Sequence, residues 1–117
     1  MNKLKIFCHI PREQWIVDRM GNEYMNNSRH QVSCDSITQD TDLIWLLAGW
    51  CWNHIHPSVL SSFKVFCTEH HVVKSKFEKE KLDMFVTRDK YVDQYMTYTE
   101  ETRDFLRNYT EKEISII

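Results

Sequence analysis

The chain has 117 residues, 42% of them apolar and 13% aromatic, with a net charge of −2. That is the length of one domain, enough to bury a core without staples and too apolar for a disordered segment. Near-neutral charge with both signs interspersed excludes the basic footprint of a nucleic-acid binder. No apolar run nears the roughly 20 residues that span a bilayer.

The amino-terminal run is broken by His9, Pro11 and Arg12, a layout unlike a secretory leader, so a cytoplasmic setting is expected. The four cysteines, Cys8, Cys34, Cys51 and Cys67, form no C-x-x-C pair. Cys8 and Cys67 sit inside apolar runs and read as small core hydrophobes.

Lys3–Ile10 (KLKIFCHI) reads as a strand ending at Pro11. Proline suits a first helical turn, and Glu13 then complements the helix dipole. Trp15, Ile16, Arg19, Met20 and Tyr24 carry helical spacing, so a helix is expected from Pro11 to Asn26. Gln31–Cys34 is a short strand and Ser36–Thr41 a polar connection. Asp42–Ala48 (DLIWLLA) is nearly continuously apolar, as a strand buried on both faces is, and Gly49 closes it. Trp50–Pro57 reads as a loop, Ser58–Phe63 as a short helix and Lys64–Thr68 as a fourth strand. Glu69–Ser75 is a loop. Phe77–Lys90 follows as a helix whose apolar positions are Phe77, Leu82, Phe85 and Val86. The fifth strand is expected at Val92–Thr97, with Met84–Thr87 as a competing location. Thr99 is a good N-cap, with Glu100 and Glu101 in the first turn of a helix that runs through Tyr109. Ile114–Ile117 is a last strand.

Strands alternating with helices imply parallel β-α-β units, hence a Rossmann-like three-layer α/β domain of about five to six mainly parallel strands. Such sheets bind ligands at the carboxyl ends of their strands. On that edge the sequence sets His9-Ile10-Pro11-Arg12, Gly49-Trp50-Cys51-Trp52-Asn53-His54 and Thr68-Glu69-His70-His71. Tryptophan faces stack on pyranose C–H faces, and Asn, Glu and His supply partners for hydroxyls, so this rim suits a sugar. Trp45 belongs to the core, whereas Trp50 and Trp52 can either pack beneath the loop or line the site. Cys51-x-x-His54-x-His56 with Cys67-x-x-His70-His71 holds enough ligands for zinc, but the spacing is not that of a known finger, and no metal is assigned. No G-x-G-x-x-G follows the first strand, which argues against a dinucleotide site.

KIFCHIPREQWIVDRMGNEY, DLIWLLAGWCWNH, KVFCTEHHVV and DKYVDQYMTYTEETRDFL before EISII occur in an order that resembles the N-terminal Rossmann-like domain of GT-B glycosyltransferases of the retaining group 1, family 4-like type. Thr99-Glu100-Glu101-Thr102-Arg103-Asp104-Phe105-Leu106 is similar to a T-x-x-T-x-x-x-L pattern in that family, whereas Pro11-Arg12 stands where members often carry glycines. The resemblance implies that residues 1–117 form a single acceptor-side domain, with the donor-binding carboxyl-terminal domain absent. It implies sugar transfer from a nucleotide-sugar to an acceptor hydroxyl, with little or no activity in this domain alone. His70 would face the transferred sugar as the catalytic residue. His9, Arg12, Trp50, Trp52, Asn53, His54, Glu69 and His71 would bind substrate. No cofactor is implied, and no metal, since no D-x-D-like motif stands in a suitable loop. A surface left open by the second domain could pair copies of the chain. The alternative is a free-standing carbohydrate- or protein-binding module without catalysis. A flavodoxin-like phosphoacceptor or flavin domain is disfavoured, because the first strand lacks acidic residues at its end and no phosphate loop follows it.

Overall fold

A computed structural model describes residues 3–8, 16–34, 36–70 and 79–117 of the chain. Among them are six strands: β1 (Lys5–Cys8), β2 (Gln31–Ser33), β3 (Leu43–Leu46), β4 (Val65–Glu69), β5 (Gln94–Thr97) and β6 (Glu113–Ile116). Four α-helices join them: α1 (Ile16–Asn27), α2 (Pro57–Leu60), α3 (Glu80–Asp89) and α4 (Glu100–Leu106). All strands are parallel in one sheet of order β2-β1-β3-β4-β5-β6. This is the Rossmann-like α/β arrangement expected, in the 2-1-3-4-5 variant extended by β6, with its one reversal between β1 and β3. The chain steps one way from β1 to β2 and the other way from β3 to β6. Right-handed crossovers therefore set α1 on the face opposite α2, α3 and α4, giving three layers.

Register explains the core. Phe7, Ile44 and Val65 align across one face of the sheet, and Cys67, Tyr95 and Ile114 form the next row on the same face, all of them buried. Leu60 of α2, Phe85 of α3 and Leu106 of α4 join the same cluster. Phe85 lies nearly parallel to Tyr95, with ring centroids 5.4 Å apart. The opposite face carries Ile6, aligned with Val32 and Leu43, and Trp45, aligned with Phe66. Trp45 is packed as expected, and its indole N–H donates to Thr68 Oγ1 at 2.9 Å.

The amino-terminal edge is held by two matching clasps. The Lys5 N–H donates to Asp42 Oδ2 and the Asp42 N–H donates to the Lys5 carbonyl, both at 2.8 Å. The Val65 N–H donates to Asp93 Oδ2 and the Asp93 N–H donates to the Val65 carbonyl, again both at 2.8 Å. In each case the aspartate just before a strand satisfies the otherwise unpaired first N–H of its neighbour. These clasps set the strand starts, and so the level at which the strands exit at the other edge.

Several local readings change: Glu69 belongs to β4 rather than to the loop after it, the short helix stops at Leu60 rather than Phe63, and the last helix stops at Leu106 rather than Tyr109. The segment after Gly49 is a 3-10 helix, Gly49–His54, rather than a loop. The short helix begins at Pro57, one residue early, because His56 caps it: its Nδ1 accepts from the Ser58 N–H at 3.1 Å. Met84–Thr87, the competing place for the fifth strand, is helical within α3. There the inward residues are Phe85 and Arg88, while Met84 and Val86 are exposed. The Thr99 cap forms as expected, its Oγ1 accepting from the Thr102 N–H at 3.1 Å. Residues 9–15, where the sequence predicts the end of the first strand and the start of the first helix, lie outside the described residues, as do residues 71–78.

Candidate functional site at the carboxyl edge

The exits of β3, β4 and β5 lie side by side at the carboxyl edge. β3 leaves through Leu47, Ala48 and Gly49, β4 through Glu69 and His70, and β5 through Thr97 and Tyr98. His70, the residue expected to do the chemistry, is half-buried there. Its Nε2 lies 2.8 Å from the Leu47 carbonyl oxygen. A carbonyl only accepts, so Nε2 carries the proton, and neutral His70 is the tautomer whose Nδ1 holds the lone pair. On the β5 side the ring lies against Tyr98, centroids 5.5 Å apart and tilted by 34°. Tyr98 is itself exposed, so the two rings form a step open to the carboxyl edge.

Glu69 turns the other way. Its carboxylate pairs with the Arg88 guanidinium, which reaches it from the last turn of α3. Both side chains are nearly out of solvent, 14% exposed for Glu69 and 8% for Arg88. Burial pushes the Glu69 carboxyl above its ordinary range, with Arg88 and then His70 pulling it back. Burial disfavours the Arg88 charge, but Glu69 together with Cys67 and Tyr95 offsets that, so the guanidinium stays protonated. Arg88 Cζ also lies 5.0 Å above the Phe85 ring, a cation–π contact. Beneath the pair sits Gly49. A Cβ built there would stand 2.6 Å from Arg88 Nη1 and 2.7 Å from Glu69 Oε1. The glycine that closes the third strand is thus required by close approach, since its φ is ordinary.

The remaining rim residues separate. Trp52 stacks on Tyr91, centroids 6.5 Å apart, in the turn between α3 and β5. Its indole N–H is buried with no partner among the described residues. Trp52 is half-buried and packs against the core from the 3-10 helix. Asn53 and His54 are exposed on the same helix, and of Trp50 only the backbone is described. His9, Arg12 and His71 lie outside the described residues. Among the described residues no three His, Cys, Asp or Glu side chains converge to hold a metal ion. Of the residues of the zinc alternative, Cys51 and Cys67 are fully buried, whereas His54 and His56 are exposed. Burial raises the Cys67 thiol well above its ordinary range, with Glu69 adding to the effect.

Sequence reasoning missed Arg88, Tyr98 and Thr97. Arg88 could have been found, because it follows Phe85 by three residues and so shares its inward face. Thr97 Oγ1 is buried without a partner among the described residues, next in register to Glu69.

Compared with known proteins, the chain matches no family model, no curated protein and no solved structure. No helix among the described residues is long and apolar enough to cross a membrane.

Proposed function

We propose that the chain is the acceptor-side, N-terminal Rossmann-like half of a glycosyltransferase that moves a sugar from a nucleotide-sugar to an acceptor hydroxyl. One observation carries this reading: His70 stands at the exit of β4, on the carboxyl edge one strand away from the reversal in strand order, with its ring fixed between the Leu47 carbonyl and the Tyr98 ring. Open parallel sheets bind their ligands at such an edge. The second ring nitrogen of His70 beside an exposed phenol ring offers a polar partner next to an apolar face, the two kinds of surface that a pyranose presents. The order of motifs along the chain supports the same reading. The donor diphosphate would be held largely by a second domain, and this half would orient the acceptor and the transferred sugar.

The test uses the chain with 15N-labelled histidine, titrated with a panel of methyl glycosides and with uridine and guanosine diphosphate sugars, alongside a radiolabelled transfer assay. Glycosides are expected to shift the His70 ring resonances, and no transfer is expected from the 117 residues alone. Multiple turnover by this chain alone would refute the half-enzyme reading. A His70 resonance unmoved by every sugar would refute the sugar site.

A further inference from the structure

We propose that the buried Arg88–Glu69 pair is a positioning element for His70, bracing the exit of β4 against the exit of β3 so that the imidazole is held as its Nε2–H tautomer with Nδ1 turned to the ligand. This rests on the reading of His70 as the ligand-facing ring.

Chain geometry links the two contacts. Glu69 and His70 are consecutive at the end of β4, and they grip the same short segment beyond β3. His70 Nε2 holds the Leu47 carbonyl. Two residues on, the Glu69–Arg88 pair fills the space over Gly49 so closely that not even a methyl group fits. Moving the segment 47–49 therefore disturbs both contacts, and moving Glu69 carries the adjacent His70 backbone with it. α3 enters the same brace through Arg88, whose position is fixed by the Phe85 ring and, one residue on, by Asp89. Asp89 Oδ1 accepts from the Tyr95 and Thr110 hydroxyls, each at 2.7 Å.

Stability alone is a poor reason for the pair. Taking both charges out of water opposes their attraction, and well-packed apolar replacements of buried pairs are often neutral or better. Here the pair is also incompletely satisfied. Arg88 Nε is buried with no partner among the described residues, and the neighbouring Thr97 hydroxyl is likewise unpaired. A paired carboxylate and guanidinium do supply something that apolar side chains cannot: a directional contact that fixes one backbone exit relative to another.

The test reads the tautomer of His70 directly, from the long-range 1H–15N correlation pattern of the histidine-labelled chain, without any ligand. The wild-type chain is expected to show His70 in the Nε2–H form. Glu69→Leu/Arg88→Met removes both charges together and is expected to stay folded, with His70 now exchanging between tautomers. Glu69→Gln, the milder variant, keeps the shape and loses the charge pairing. It is expected to move His70 in the same direction to a smaller extent. Arg88→Lys, which keeps a cation but not the planar fork, is expected to restore the single tautomer only in part. A wild-type His70 in the Nδ1–H form overturns the proposal. So does a folded variant, Glu69→Gln included, in which His70 keeps the wild-type tautomer pattern. Failure of every glycoside to bind, with the tautomer shift intact, would count against the sugar site and leave the brace standing.

Discussion

Gly49→Ala is the sharpest perturbation the carboxyl edge offers. The backbone there tolerates alanine, since no glycine among the described residues has a positive φ. The whole effect is steric, and the added methyl carbon meets Arg88 Nη1 at 2.6 Å, Glu69 Oε1 at 2.7 Å and Arg88 Cζ at 3.1 Å. On a free surface such side-chain ends would swing aside at almost no cost. Here they hold each other out of water, so any shift loosens a buried pair. Overpacking of this kind costs about 1–3 kcal/mol. At roughly 4 °C per kcal/mol for a domain this size, the midpoint should fall by about 8 °C. Urea and thermal unfolding followed by circular dichroism measure this. The same substitution in the Glu69→Leu/Arg88→Met background, where neither long side chain is tied to the other, should cost under about 0.5 kcal/mol. Equal cost in the two backgrounds, or a wild-type cost below about 0.5 kcal/mol, would show that the pair does not rest on Gly49 and refute the reasoning.

Asp89→Ala leaves the buried Tyr95 hydroxyl and the Thr110 hydroxyl without their shared acceptor, so urea unfolding should register a loss of about 1–3 kcal/mol. In the acid range, the Lys5 ammonium and the Thr38 hydroxyl bonded to the exposed Asp40 carboxylate hold its pKa at about 2, below the ordinary 3.8. A lowered folded value means stability present above pH 3.8 and lost as the pH falls through about 2. The wild-type urea midpoint should therefore drop relative to Asp40→Asn across that window, and less so in high salt. Burial lifts the Cys8 thiol to about 12 and holds Cys67 high as well. Native-state alkylation at pH 8 should thus modify the partly exposed Cys34 first, with Cys8, Cys51 and Cys67 reacting only on unfolding. Thr99→Ala removes the acceptor for the Thr102 N–H and should lower stability by about 1 kcal/mol in thermal unfolding.

Local chemistry made much of this legible in the sequence. The apolar runs at Ile6–Cys8, Leu43–Leu46 and Val65–Thr68 could only be strands of a covered parallel sheet, because burial on both faces removes the polar alternation. Thr99 marked its helix because capping involves neighbours in the chain. The same logic put His70 and Glu69 at a strand end and so at the carboxyl edge. What these residues do there was decided across the fold. Glu69 read as a rim carboxylate, and its partner Arg88 stands nineteen positions later on another element. Trp52 packs on Tyr91, and the protonated nitrogen of His70 is chosen by the carbonyl of Leu47, twenty-three positions earlier. Periodicity fixes which residues turn inward, but a partner reached through space leaves no spacing in the chain, so the pairing of a charge and the tautomer of a ring belong to the tertiary structure alone.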